Sequence, residues 1–358
     1  MALKTKLLLI LLGILSVGLA AAFYFSRQSS SDYYFAAAPA AAPIVLPAAT
    51  PSPPPAKPPE VSMIAVGDIM LSRSVAGKIA EHGVDYPFAA TSDYLHSADI
   101  VFANLENPIT PGPVVPPLSF TFHANPGVEV GLKNAGFTIL NLANNHTPNY
   151  GAAGIADTIK YLDNAGIAHI GAGKNLAEAE QPFYLEKNGI KFALIGYNDS
   201  DVVPASYGAA VNHAGTNIMS IDKVTRDVAL AKQNADIVIV SMHSGIEYQP
   251  NPDDSQISFA RAAIDAGADL VLGHHPHVIE TAEKYKGKYI FYSLGNFVFD
   301  QAFSKDVREG MTLKLNFDKT GLQNVEYHPV WIKDLSQPQL ITDPALLAEA
   351  LARLGPQK

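Results

Sequence analysis

The chain contains no cysteine. Disulfides, thiolate metal ligands, a cysteine nucleophile and lipid attachment at cysteine are all excluded. Any metal must be held by His, Asp, Glu or Asn, a donor set suited to zinc, manganese, iron or magnesium. Positive charge is also in short supply: 25 Lys and Arg against 34 Asp and Glu leave a net charge of -9, with an isoelectric point near 5.6. A general nucleic-acid binder needs a basic face, so no nucleic-acid partner is expected. An anionic substrate must be captured by local cations or by metal. Charged residues of both signs make up only 16% of the chain, whereas 48% are hydrophobic. That is a globular composition with a slight apolar tilt, and 358 residues suffice for one large domain or two small ones. No internal repeat is present.

Much of the apolar tilt comes from the N-terminus. Residues 1–6 carry Lys4 and Lys6, and from Leu7 to Phe25 there is no charge at all. As a helix this stretch spans about 28 Å, close to the hydrocarbon thickness of a bilayer. Lysines before the span and none directly after it place the N-terminus in the cytoplasm. Gly18-Leu-Ala20 resembles a cleavage site, but the apolar run continues through Phe23-Tyr-Phe25. The expectation is therefore a single-pass signal-anchor at 7–25 with the rest outside the cytoplasm. Residues 26–59 turn Ser-rich and then Ala/Pro-rich, as in Pro51-Ser-Pro-Pro-Pro55. Such sequence cannot bury a core and favours polyproline geometry; fully extended, it reaches on the order of 100 Å.

The globular part opens at residue 60 and is expected to run to 335, with a helix and tail over 336–358. Apolar runs read as strands at Val61–Val66, Asp99–Ala103, Phe137–Leu142, Ala168–Ile170, Asp236–Val240, Leu270–Gly273 and Lys288–Ser293, and alternation suggests another at Ser119–His123. Helical patterns lie between them, at Ser72–Glu81, Val128–Ala135, Ala152–Ala165, Ile221–Asn234 and Ser255–Ala266. The Asn188-Gly189 pair predicts a hairpin joining Pro182–Glu186 to Ile190–Tyr197. A second antiparallel pair, Met311–Phe317 with Leu322–Tyr327, precedes a last helix near Pro344–Leu354. Continuous apolar strands alternating with helices indicate parallel sheets buried on both faces, and ligands of such sheets collect beyond the carboxyl ends of the strands.

Polar clusters stand at those ends: Asp68, Glu106, Asn145 with His146, His243, and His275 with His277. The last lie in Leu270-Val-Leu-Gly-His-His-Pro-His277, where three histidines crowd into four residues. Taken singly, each has an ordinary reading as a helix cap, a loop carboxylate, a turn residue or a satisfied strand-end histidine. Taken together, five strand ends supplying hard or borderline ligands predict a site for two divalent metal ions (Mn, Zn or Fe), bridged by a carboxylate and a hydroxide.

Gly67-Asp68, Asn104-Leu-Glu106, Asn144-Asn-His146, Met242-His243-Ser-Gly-Ile-Glu-Tyr248, Gly273-His-His-Pro-His277 and Ser293-Leu-Gly-Asn-Phe297 resemble the bacterial capsule-synthesis family called CapA or PGA-cap. Members of this family are associated with poly-gamma-glutamate production and fall within the calcineurin-like metallophosphoesterase superfamily. The resemblance covers about residues 61–335. It implies an α/β (α+β) fold, a four-layer α-β-β-α sandwich preceded here by the N-terminal transmembrane helix.

The family's roles carry over by motif. Asp68 and His277 would ligate the first metal, Glu106 would bridge, and Asn145, His243 and His275 would ligate the second. His146 would protonate a leaving oxygen or position the bridging water, with His274 a neighbour behind the ligands. Arg73 is the candidate for anion capture, and Lys174, Glu247 and Asn296 are expected at the substrate rim. Two positions depart from relatives: Met70 stands where the parent phosphoesterases place a metal-binding histidine, and Ser244 where relatives place a bulky aromatic. Met70 is a soft ligand for such metals, which would leave the first metal short of a donor.

The implied function is an exported, membrane-anchored component of poly-gamma-glutamate capsule synthesis or export. It would act on an anionic polymer or a phosphorylated substrate, beside the membrane subunits of a capsule synthase. The alternatives are a general exported phosphoesterase and a non-catalytic scaffold.

Overall fold

The computed structural model describes residues 59–356. The expected membrane span at 7–25 and nearly all of the linker lie outside the described residues. Among those described, no helix is long and apolar enough to cross a membrane.

In chain order the strands are β1 (Val61–Ile69), β2 (Ile100–Leu105), β3 (Ile139–Asn141), β4 (Ala168–Ile170), β5 (Ala172–Gly173), β6 (Phe183–Lys187), β7 (Ile190–Asn198) and β8 (Gly215–Thr216). They continue with β9 (Ile237–His243), β10 (Leu270–His274), β11 (Ala282–Tyr285), β12 (Lys288–Phe291), β13 (Asn296–Val298), β14 (Glu309–Asp318), β15 (Gly321–Lys333) and β16 (Gln337–Leu340). One mixed sheet runs β16-β15-β14-β1-β2-β3-β4, with β13 also paired to β1; a second runs β11-β12-β10-β9-β7-β6. β5 and β8 form a small separate pair.

Side chains alternate across a strand, and here both faces are apolar. From β1, Met63 and Ala65 join Ile239 and Leu272 of the second sheet in one buried cluster. Their neighbours Ile64 and Val66 pack instead with Leu132 and Ile155 of the helices Val128–Asn134 and Gly151–Ala165. The second sheet repeats the pattern, Val238 and Val240 packing on Val228 and Phe259 of the helices Ile221–Ala231 and Asp254–Asp265. The order of layers is helix, sheet, sheet, helix, as expected.

The β6–β7 hairpin turns at Asn188 (φ 49°) and Gly189 (φ 74°), the left-handed pair that a type I′ turn requires. Other expectations differ from the structure. Ser119–His123 forms no strand: Phe120 and Phe122, which alternation would set on one face, are exposed and buried respectively, and beside this segment lies only the bridge between Ile109 and Ala124. The sheet also continues past residue 335, because β16 pairs with β15 from Val330↔Leu340 to Lys333↔Gln337.

A close backbone approach ties the carboxyl end of β1 to β13. A Cβ on Gly67 would lie 1.9 Å from the Gly295 carbonyl oxygen. That proximity lets Asp68 N–H donate to Gly295 O at 2.9 Å and brings β13 alongside β1, with Asn296 in register with Asp68. Gly67→Ala is expected to lower stability by about 1–3 kcal/mol through overpacking, measured as a lower urea midpoint with unchanged m-value.

Candidate metal centre

β1, β2 and β3 of one sheet and β9 and β10 of the other end at a common rim. Asp68 lies near the end of β1, Glu106 follows β2, and Asn144 to His146 follow β3. His243 closes β9, and His275 follows β10. Asp68, Glu106, His243 and His274 are fully buried, and His275 and His277 almost so.

Two groups of candidate ligands form there: Asp68, Glu106 and His277, and Glu106, His243 and His275. Within each, one donor atom per residue lies within 4.8 Å of the others. Glu106 belongs to both. Asn145 completes the second group, its Oδ1 lying 3.0 Å from His243 Nε2. Glu106 Oε1 and His275 Nδ1 are buried yet hydrogen-bond to nothing. Such orphaned acceptors are costly in a protein interior and are what a cation would satisfy, so the donor set fits divalent metal.

Amide side chains aim these ligands. The backbone N–H groups of His146 and Thr147 donate to Asn144 Oδ1 (3.1 and 2.8 Å), which orients the Asn144 amide. Its Nδ2 and that of Asn141 both donate to Asn104 Oδ1 at 3.0 Å. Asn104 Nδ2 is thereby turned to Asp68 Oδ1 (2.9 Å) and Glu106 Oε2 (3.3 Å). Asn104 was not singled out as a site residue from sequence, although it lies two residues before Glu106 and side chains at i and i+2 share a face.

Asn296, expected at the substrate rim, is instead buried behind a ligand. Its Nδ2 donates to the carbonyls of Val307 and His277, so its Oδ1 accepts from His277 Nδ1 at 3.0 Å. His277 Nε2 is left bare, 3.5 Å from Glu106 Oε1. Carboxamide or carbonyl partners of this kind set the tautomer of a metal-binding histidine. His274 lies beside Asp68, its Nδ1 3.3 Å from Oδ1, and belongs to neither ligand group.

The backbone is held in the left-handed region at His275 (φ 101°), His277 (φ 60°), Arg73 (φ 50°) and Tyr248 (φ 65°). A non-glycine residue adopts this region at a cost of order 1–3 kcal/mol.

Burial separates the charges. It pushes Glu106 well above the usual carboxyl range, with the charges of Asp68 and Glu247 adding to the effect. Burial acts on Asp68 in the same direction, but the His274 and His277 rings, whose Nδ1 atoms lie 3.3 and 3.4 Å from its oxygens, outweigh it and hold this carboxyl low. Burial drives His243 well down, lowers His275 to about 4, and lowers His146 to about 3. The imidazoles are thus neutral, the form that binds metal.

The remaining candidates divide. Met70 is fully buried in the cluster between sheet and helices, its sulfur accepting the Ser72 N–H at 3.1 Å. Glu247 is exposed and lines a cavity of about 510 Å³ with Asn145, Asp199, Asp201, Asp253 and His275. Lys174 lines a different cavity with Asp163, His169 and Glu178, none of them a candidate ligand. Arg73 is no free anion trap: it pairs with Asp300, donates to the Ser119 carbonyl, and lies 4.5 Å above the Phe122 ring. Ser244 Oγ donates to Asp199 at 2.6 Å.

The fold is of mixed α/β architecture and carries a candidate metal centre. The match to "Bacterial capsule synthesis protein PGA_cap" extends over residues 62–301, and the chain belongs to that family. It is 36% identical to the capsule biosynthesis protein CapA of Bacillus anthracis, over 79% of this chain and 70% of that protein. It is likewise 36% identical to the PGA biosynthesis protein CapA of Bacillus subtilis, over 75% and 71%. Among solved structures, a calcineurin-like phosphoesterase from Bacillus subtilis matches with a TM-score of 0.47 at 15% identity, covering 83% of this chain and 97% of that one.

Two outcomes are expected. Asn296→Ala should weaken manganese or zinc affinity about 10- to 100-fold, read by calorimetric titration. The metal-free protein should lose stability as pH falls from 6.5 toward 4. The unfolded chain takes up protons near 6.5 that buried His275 refuses until about 4 and His146 until about 3. A thermal midpoint constant across that range would contradict the neutral, buried imidazoles.

Proposed function

We propose that the protein is a metal-dependent, hydrolase-like component of capsule or poly-gamma-glutamate biosynthesis, working through two divalent ions bridged by Glu106. The observation that carries the reading is the membership of Glu106 in both ligand groups. Its relatives named for capsule and PGA biosynthesis support the process. Asp68 and His277 would hold one ion; His243, His275 and Asn145 would hold the other. Manganese, zinc and iron all suit these donors. When bound, such ions lower the pKa of a water and neutralise developing charge on the substrate.

The role of His146 follows from its neighbours. The Phe122 N–H donates to Asn149 Oδ1 at 2.8 Å, so that atom is the amide oxygen. His146 Nδ1, 3.0 Å from the same oxygen, must carry the hydrogen. Nε2 is then bare and lies 4.0 Å from Glu106 Oε1. With burial holding the ring neutral, His146 suits accepting a proton from, or orienting, the attacking water. That favours the second of its two expected roles over protonation of a leaving oxygen.

The substrate in this reading is an anionic polymer or a phosphorylated precursor. The uncharged stretch at 7–25 would hold the domain at the outer face of the membrane, near synthase subunits. After manganese reconstitution, elemental analysis should find two ions per chain, about one in His275→Ala and fewer than one in Glu106→Ala. Two ions retained without Glu106 would end the bridged-centre reading. His146→Gln should keep both ions and lower kcat toward bis(p-nitrophenyl) phosphate about 100-fold or more.

A further inference from the structure

We infer that the substrate carries an apolar group, held in a groove beside the metal centre, and that its class is a phosphate ester of an aliphatic alcohol. This rests on the hydrolytic two-metal reading and names the substrate class for it. The groove has a volume of about 690 Å³, and Arg73, Leu118, Phe120, Tyr248, Asp300 and Phe303 are among its lining residues. Leu118 is 87% exposed, Phe120 88% and Phe303 67%. Single exposed apolar residues are ordinary, but several gathered on one concavity mark a surface that something covers. A mainly apolar cavity of this size with a few polar groups at its base has the form of a small-molecule site.

The groove adjoins the metal centre through Tyr248. The Tyr248 ring lies 5.0 Å from that of Phe303 and 6.1 Å from that of the ligand His277. On the other flank Arg73 stands over Phe122, and Phe122 stacks on His146 at 3.8 Å. Arg73 is buried to about nine-tenths, and its Nε donates to no protein atom. Pairing with Asp300 cancels its charge, so the groove favours an uncharged apolar chain.

The second cavity at the centre has the opposite character. Asp199, Asp201, Glu247 and Asp253 line it, and a polyanion would be repelled there. A substrate whose phosphoryl group lies on the metals therefore directs its alcohol portion into the apolar groove.

The test is calorimetric binding of ethyl and octyl phosphate, each below its micelle concentration, to metal-free and manganese-loaded protein. Each buried methylene is worth about fourfold in affinity, so burial of about three of the six methylenes that distinguish the two esters should make octyl phosphate bind on the order of 100-fold more tightly. The exposed positions Phe120 and Phe303 can be changed without disturbing the core, and Phe120→Ser with Phe303→Ser should reduce the ratio to roughly threefold. Equal affinity for the two esters, or an unchanged ratio in the double variant, overturns the inference. So does loss of sedimentation with phosphatidylglycerol vesicles while octyl phosphate affinity is unaltered, since the aromatic residues would then face a bilayer. The two readings fail separately. Octyl-selective binding with no ester turnover by the manganese-loaded protein leaves the groove and removes the hydrolase. Turnover of methyl p-nitrophenyl phosphate with no dependence on chain length does the reverse.

Discussion

Two carboxyl groups, Asp68 and Glu106, are enclosed where the two sheets meet, with donor atoms within 4.8 Å of one another. Water cannot solvate them there, and an interior that leaves such groups unpaired loses several kcal/mol for each. Much of the surrounding structure answers that constraint. Asn104 bridges the pair with its amide hydrogens, the histidines converge on the same oxygens, and burial with the charges of Asp68 and Glu247 raises the Glu106 pKa well above the usual carboxyl range. A divalent ion held by Asp68, Glu106 and the histidines would offset that cost and relieve the repulsion between the carboxyl groups.

Holding charged groups so close demands rigid supports. The backbone approach at Gly67 and Gly295 locks β13 to β1, and through Asn296 it fixes the His277 ring. The loop that carries the candidate ligands His275 and His277 holds both in left-handed backbone, which stereochemistry alone would not favour. Asn144 and Asn104 relay the orientation of backbone N–H groups after β3 to the Asp68 carboxylate. The ligands are few, but the groups that aim them extend through both sheets.

Much of the fold was legible in the chain. Apolar runs such as Asp236–Val240 and Leu270–Gly273 can be buried on both faces only as inner strands, and the Asn188-Gly189 turn announced its hairpin. What stayed hidden were short strands whose partners are distant in sequence. β13 has three residues, and its pairing with β1 follows from a glycine contact across more than two hundred positions. Ser119–His123 shows the converse: its alternating residues form no strand, and Phe120 and Phe122, which alternation would place together, are exposed and buried, because a strand needs a pairing partner that the local pattern does not record.

The candidate site divides in the same way. Sequence by itself determined which residue types stand at the strand ends, and so the ligand candidates Asp68, Glu106, Asn145, His243, His275 and His277, together with the family. Only the tertiary structure decided their geometry. It placed Glu106 in both ligand groups, set Asn296 behind His277, bound Arg73 to Asp300, turned Met70 into the core and left Lys174 in another cavity. The physical reason is that a residue's type and strand position are local properties, whereas its partner depends on how two sheets pack. A guanidinium or an amide acquires its role from whichever buried group that packing brings within hydrogen-bonding distance.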